Sequence, residues 1–90
     1  MSRKPEYSNT LTPKQVEVYL AIKGFTNKYH YSPSIRELCK MCEINSPATM
    51  FVHLKKMKKK GYIDYIESKA RTITIVKEIE YDSIWFNWEN

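Results

Sequence analysis

Two cysteines and two histidines are the residues of this chain with the widest chemical repertoire. Cys39 and Cys42 form a CxxC, the spacing of half a zinc site or of a dithiol redox pair. A structural zinc site wants four ligands; there is no second cysteine pair, and His30 and His53 are not arranged as the missing half. A redox pair needs a thioredoxin-like βαβ setting, which the pattern does not offer. Both cysteines fall on the apolar side of a helix, where a free thiol packs as a small hydrophobe. There is no paired acid and base and no nucleophile with a neighbouring base, so no enzyme activity, metal or cofactor is expected. His53 reads as a hydrogen bonder on a helix flank.

The chemistry the chain does advertise is cationic. Residues 46–61, SPATMFVHLKKMKKKG, begin with a capping serine and a proline at the first helical position, and end on Gly61. At a hundred degrees per residue, Pro47, Met50, Leu54 and Met57 gather on one side, with Phe51 and His53 on the flanks. Ala48, Thr49, Val52, Lys56 and Lys59 take the other. One face can be buried while the opposite face opens with small side chains and closes with lysines, a pattern suited to a helix lying in a DNA major groove. An ordinary amphipathic helix with a solvated basic face would look the same in isolation. Lys55, Lys56, Lys58, Lys59 and Lys60 cannot all face one partner. Lys56 and Lys59 are best placed for phosphates, and Lys58 lies on the core side, where its stem can be buried while its ammonium reaches water.

Other elements must position this helix. Thr12-Pro13-Lys14-Gln15 is a capping box with proline at the first helical position. Gln15, Val18, Tyr19, Ile22, Phe25 and Tyr29 follow at helical spacing, with Leu11 ahead as a staple, predicting a first helix over 13–29. His30-Tyr31-Ser32-Pro33 breaks it. Ser34-Ile35-Arg36-Glu37 is a second capping box, and Ile35, Leu38, Cys39 and Cys42 form the narrow apolar stripe of a short second helix. Glu43-Ile44-Asn45 then turns the chain into the basic helix, which makes a helix-turn-helix. After Gly61 the period becomes two. Residues 62–66 and 71–76 are rich in β-branched and aromatic side chains, joined by the polar turn Glu67-Ser68-Lys69-Ala70. Three helices followed by a two-stranded hairpin make an α+β winged helix-turn-helix over residues 11–77, with Lys69 and Arg71 near the wing tip.

Charge divides along the same lines. All fifteen Lys and Arg lie in residues 1–77 against six acids, a net +9; residues 78–90 hold four acids and no base, a net −4. A body at +9 within a chain of net +5 suggests a polyanionic partner. Residues 1–10 show no periodicity and read as a flexible arm. No apolar run approaches a membrane span, and the polar N-terminus is no signal peptide, so a cytoplasmic location is expected. In the 78–90 extension, Tyr81, Trp85, Phe86 and Trp88 are interleaved with acids. They either fold back to cap the small core or form the contact of a homodimer.

Leu11-Thr12, Ser32 to Leu38, Ser46-Pro47-Ala48-Thr49, His53-Leu54, Lys60 to Ile63 and Lys69 to Ile75 resemble the N-terminal DNA-binding domain of LexA, the SOS-response repressor, closest to the Gram-positive form. The likeness covers about residues 11–76. It implies that Ser46, Ala48, Thr49, Phe51 and Val52 occupy the base-reading positions, and that Arg36, Lys69 and Arg71 approach the backbone or minor groove; independently of the resemblance, Lys55, Lys56 and Lys59 are expected on the backbone from their place on the helix. The side chains are largely different: where the family often has polar readers, Ala48, Phe51 and Val52 favour thymine methyls, so the operator need not be an SOS box. Glu43 stands where the family usually has glycine, implying either strain of order 1 kcal/mol or a slightly different turn. The family continues into a self-cleaving Ser–Lys peptidase domain that also dimerises it. Here Gly24 and Gly61 each follow a lysine, so the family's Ala–Gly cleavage bond is absent and self-cleavage is not expected.

The function expected is sequence-specific binding of double-stranded DNA by a small transcriptional repressor. The alternative is a winged-helix protein-docking module, or an architectural or replication-associated one, without strong sequence specificity. RNA binding would lack a stacking platform in the body.

Overall fold

Each of the three helices starts on a side-chain cap written in the sequence, and the computed structural model, which describes residues 11–79, places all three. Helix α1 spans Pro13–Tyr29, α2 Ile35–Cys42 and α3 Pro47–Lys59; strands β1 (Ile63–Asp64) and β2 (Thr74–Ile75) follow. Thr12 and Ser34 close complete capping boxes with Gln15 and Glu37, and Ser46 Oγ accepts from the Thr49 N–H at 3.3 Å. These contacts satisfy amide groups that a helix start would otherwise leave without partners. The result is a three-helix, two-strand winged helix-turn-helix.

The ends of α2 and α3 are built alike. At α3, the N–H of Gly61 donates to Lys58 O at 2.9 Å and that of Tyr62 to Met57 O at 3.1 Å, with Gly61 at φ 88°. At α2, Glu43 N–H donates to Lys40 O at 3.4 Å and Ile44 N–H to Cys39 O at 2.9 Å, with Glu43 at φ 56°, ψ 42°. This is the Schellman closure, whose pivot residue is left-handed. Glycine adopts that conformation freely at Gly61, whereas Glu43 carries a Cβ into it, at a cost of about 1–2 kcal/mol. Glu43 thus closes α2 in a left-handed conformation that its Cβ disfavours.

The core forms where the faces of the elements meet. Val18, Tyr19 and Ile22 of α1, Leu38 and Cys42 of α2, and Met50, Leu54 and Met57 of α3 are all buried. Leu11, Ile44, Tyr62, Ile63, Tyr65 and Ile73 close the same cluster, with Ile35 and Cys39 packed partly buried against it. Leu11 and Val16, the residues before the cap and one turn into α1, are both in the cluster, as a staple requires. Cys42 is fully buried, and burial pushes its thiol pKa up, the condition of an unreactive structural cysteine.

Three expectations are corrected. Pro47, placed by periodicity on the buried side of α3, is exposed, because the first turn projects past the end of the core. Tyr29, placed on the α1 stripe, is 44 % exposed and packs on Phe25 and Tyr31, at centroid distances of 4.6 and 6.0 Å, rather than in the core. The wing is mostly loop. Expected strands over 62–66 and 71–76 reduce to an antiparallel pair with Ile63 opposite Ile75 and Asp64 opposite Thr74. Beyond that pair Ser68 (φ 67°) and Arg71 (φ 57°) turn left-handed, which ends extended pairing. Side chains replace the missing ladder: Thr72 Oγ1 accepts from Ile66 N–H at 2.9 Å and donates to Lys69 O at 3.1 Å, while buried Ser32 Oγ accepts from Ile73 N–H at 3.1 Å. The 1–10 arm and Tyr81, Trp85 and Trp88 lie outside the described residues. No helix among the described residues is long and apolar enough to cross a membrane.

Candidate nucleic-acid interface

Because Met50, Leu54 and Met57 anchor α3 in the core, the opposite side of the helix stands clear of the body. Ala48 and Thr49 are exposed in its first turn, Phe51 and Val52 follow at 46 % and 50 % exposure, and Lys55, Lys56 and Lys59 continue along it. Ser46 sits at the head of this face, half-buried, with Oγ engaged as the cap acceptor and its hydroxyl proton still available to donate. The flank position of Phe51 thus turns outward with the readers. It separates two grooves. One, of about 690 Å³, runs between α3 and the wing, with Arg36, Val52, Lys55, Ile66 and Lys69 on its walls. The other, of about 750 Å³, lies over the α2–α3 turn, beside Lys40, Asn45 and Pro47.

Electrostatics separates the cations into two groups. The ion pairs among the described residues join Lys14 to Glu17, Lys23 to Glu78, Lys58 to Asp64 and Arg71 to Glu37. Arg36, Lys55, Lys56, Lys59 and Lys69 form no ion pair with any described residue, and all are exposed around α3 and the wing. Lys58 behaves as its core-side position requires: its ammonium donates to Tyr65 O at 3.0 Å, lies 4.5 Å from the Tyr65 ring centre and pairs with Asp64 at 3.4 Å. Lys60 donates to buried Gln15 Oε1 at 3.0 Å, and burial, then Lys56, lowers its pKa. His53 is half-buried; burial first, then Lys14 and Lys56, push its imidazole below the ordinary histidine range, so it is neutral near pH 7 and adds no charge to the face. Its Nδ1 has no hydrogen-bond partner among the described residues, in place of the flank hydrogen bond expected.

Arg71 departs from its expected place at the wing tip. Its guanidinium folds back onto the body, giving two hydrogen bonds to the Glu37 carboxylate at 3.0 and 3.1 Å and a third to Ser32 O at 3.0 Å. It also lies 5.0 Å from the Tyr31 ring centre. The fork geometry of arginine suits this bidentate grip. Hydrogen bonding from Arg71, then from the Ser34 amide, holds the Glu37 carboxyl below its ordinary pKa, and Glu37 in turn raises that of Arg71. Arg71 braces the wing against the head of α2, leaving Lys69 as the outward cation of the loop. Sequence patterning alone did not reveal this brace, nor the roles of Ser32 and Thr72 in the wing; the capping box marked Glu37 only as a helix-start residue.

A helix-turn-helix whose second helix presents small and apolar side chains between cations with no ion-pair partner among the described residues, and a braced loop beside it, defines the class of winged helix-turn-helix DNA-binding domains. The comparisons with known proteins narrow the class. The model of the LexA DNA binding domain matches residues 8–72, and the chain belongs to this family. It is 43 % identical over 67 residues to the LexA repressor of Desulfatibacillum aliphaticivorans, covering 74 % of this chain and 33 % of that protein. To the LexA repressor of Clostridium novyi (strain NT) it is 41 % identical over 71 residues, 79 % of this chain and 35 % of the relative. To that of Clostridium botulinum (strain Hall / ATCC 3502 / NCTC 13319 / Type A) it is 43 % identical over 63 residues, 70 % and 31 %. The chain spans about a third of the length of these relatives.

Proposed function

We propose that the chain represses transcription by sequence-specific binding of duplex DNA, with α3 in the major groove and the 67–71 wing over the adjacent backbone or minor groove. Ser46, Ala48, Thr49, Phe51 and Val52 face base edges. Arg36, Lys55, Lys56, Lys59 and Lys69 contact phosphates, and Arg71 sets the angle of the wing. The carrying observation is that Arg36, Lys55, Lys56, Lys59 and Lys69, which form no ion pair among the described residues, flank a run of methyl-bearing and small polar side chains. A hydroxyl at Thr49 can bond a base edge, and Val52 and Ala48 suit thymine methyls.

Selection from a random duplex pool tests this. The expected result is a motif containing thymine-rich positions, and pairing of two copies through residues 78–90 would give it as a palindrome of two half-sites. Failure to enrich any motif refutes sequence-specific reading. The exposed Phe51, Val52 and Ile66 support the protein-docking alternative. Under that reading duplex binding would be weak and without sequence preference.

A further inference from the structure

Helix α3, PATMFVHLKKMKK, contains no Arg, Asn, Gln, Asp or Glu. Those are the side chains that grip guanine or adenine through two hydrogen bonds or accept from the cytosine amine. Lysine can also grip guanine, but the lysines begin only at Lys55, about two turns into the helix. The nearest amide, Asn45, precedes the cap and stands in the α2–α3 turn. Between these ends the outward side chains are Ala48, Thr49, Phe51 and Val52, all exposed. Ser46 Oγ is already engaged by the Thr49 N–H at 3.3 Å. The middle of the reading face therefore offers a base edge one rotatable hydroxyl, at Thr49, amid methyl groups and a ring.

That inventory decides which feature of a pyrimidine such a face can read. In the major groove thymine presents the O4 acceptor and a C5 methyl, and cytosine presents the N4 donor and a bare C5. A threonine hydroxyl both donates and accepts, so it serves O4 and N4 alike and separates the two bases poorly. The methyl is the signal that remains, and alanine, the threonine methyl and phenylalanine are the contacts suited to it. 5-Methylcytosine carries the same methyl at the same place, whereas uracil has the thymine edge without it. Thr49 and Val52 are about 4.5 Å apart along the helix axis, and Ala48 and Val52 about 6 Å. With base pairs about 3.4 Å apart, the methyl contacts fall on bases one or two steps apart.

Resting on the major-groove placement of α3 proposed above, we propose that the chain recognises C5-methylated pyrimidines as a class, thymine and 5-methylcytosine alike, through Ala48, Thr49, Phe51 and Val52. Methylation of a cytosine facing these side chains therefore strengthens binding. Burial of one methyl corresponds to about fourfold in affinity and of two to about fifteenfold.

The test uses the full chain and the duplex enriched from the random pool, with its thymines replaced one at a time. Deoxyuridine, which deletes only the methyl, should cost about fourfold at two positions one or two steps apart and nothing elsewhere. At those positions deoxycytidine opposite deoxyguanosine should bind about fourfold more weakly than 5-methyldeoxycytidine in the same pair. Val52→Ala should abolish the deoxyuridine penalty at one position, and Thr49→Ser, which keeps the hydroxyl and removes the methyl, should abolish it at the other. Both substitutions are at exposed positions, and unchanged far-UV circular dichroism confirms the fold. An enriched motif that tolerates deoxyuridine everywhere overturns the proposal while leaving sequence-specific reading in place. Penalties that survive in both variants also overturn it, because they then report the stiffness of the DNA rather than contact with the methyl. Failure to enrich any motif refutes the major-groove reading itself, and this proposal with it.

Discussion

Lys56 and Lys58 stand two residues apart on α3, yet replacing the first should weaken the salt dependence of DNA binding while replacing the second should leave it unchanged. Lys56 is exposed and makes no ion pair with a described residue, whereas Lys58 is held by Asp64, Tyr65 O and the Tyr65 ring. If Arg36, Lys55, Lys56, Lys59 and Lys69 each neutralise one phosphate, the slope of log K against log salt is about −4.5, at roughly 0.9 per contact. Raising salt fourfold, from about 50 to 200 mM, then weakens binding by roughly 500-fold. Lys56→Ala should lower the slope by about 0.9, so the same change costs only roughly 140-fold. Lys58→Ala should leave the slope within error of the parent. Equilibrium titrations of the selected duplex by fluorescence anisotropy, near pH 7 where His53 is neutral, measure both. Equal slopes for the two variants, or a Lys56→Ala effect confined to one base position, would refute the partition of cations drawn from the ion pairs.

Thr49→Ala and Val52→Ala should each alter the preferred base at one position, at about 1–3 kcal/mol of discrimination; an unchanged selected motif in both removes these side chains from the reading face. Glu43→Gly relieves a left-handed Cβ and removes an acid from the negative end of α2, offset by glycine's unfolded-state entropy, for a net gain of about 1 kcal/mol. Thermal unfolding should rise by about 4–8 °C, and an unchanged midpoint would mean the turn is not strained. Arg71 holds the Glu37 carboxyl below its ordinary value of 4.5, so the stability linked to this pair is complete above that value and lost as pH falls through the lower folded value. Arg71→Met should return Glu37 to ordinary titration by carboxyl NMR and flatten this part of the acid-unfolding profile. An unmoved Glu37 titration would show that Arg71 is not its partner.

How much of the fold is legible in the sequence follows from the range of the interactions involved. Caps act over three residues, helical stripes over seven, and the left-handed closures at Glu43 and Gly61 over six, so Thr12, Ser34, Ser46 and Gly61 mark their helix ends in the sequence itself. The outward face of α3 was readable for the same reason, because Met50, Leu54 and Met57 leave it only one way to turn. Pro47, Tyr29 and the length of the wing strands were misplaced, since each depends on where the body ends or on a backbone turn that periodicity does not encode. Tertiary structure alone decided which cations are spoken for. Arg71 finds Glu37 across 34 residues and Ser32 across 39, and Ile73 finds Ser32 across 41. Such pairings depend on helices and loop arriving together in space. The local sequence determined that there would be a basic helix and a wing, while the packing of α2 against the loop determined which of their charges remain available to a phosphate.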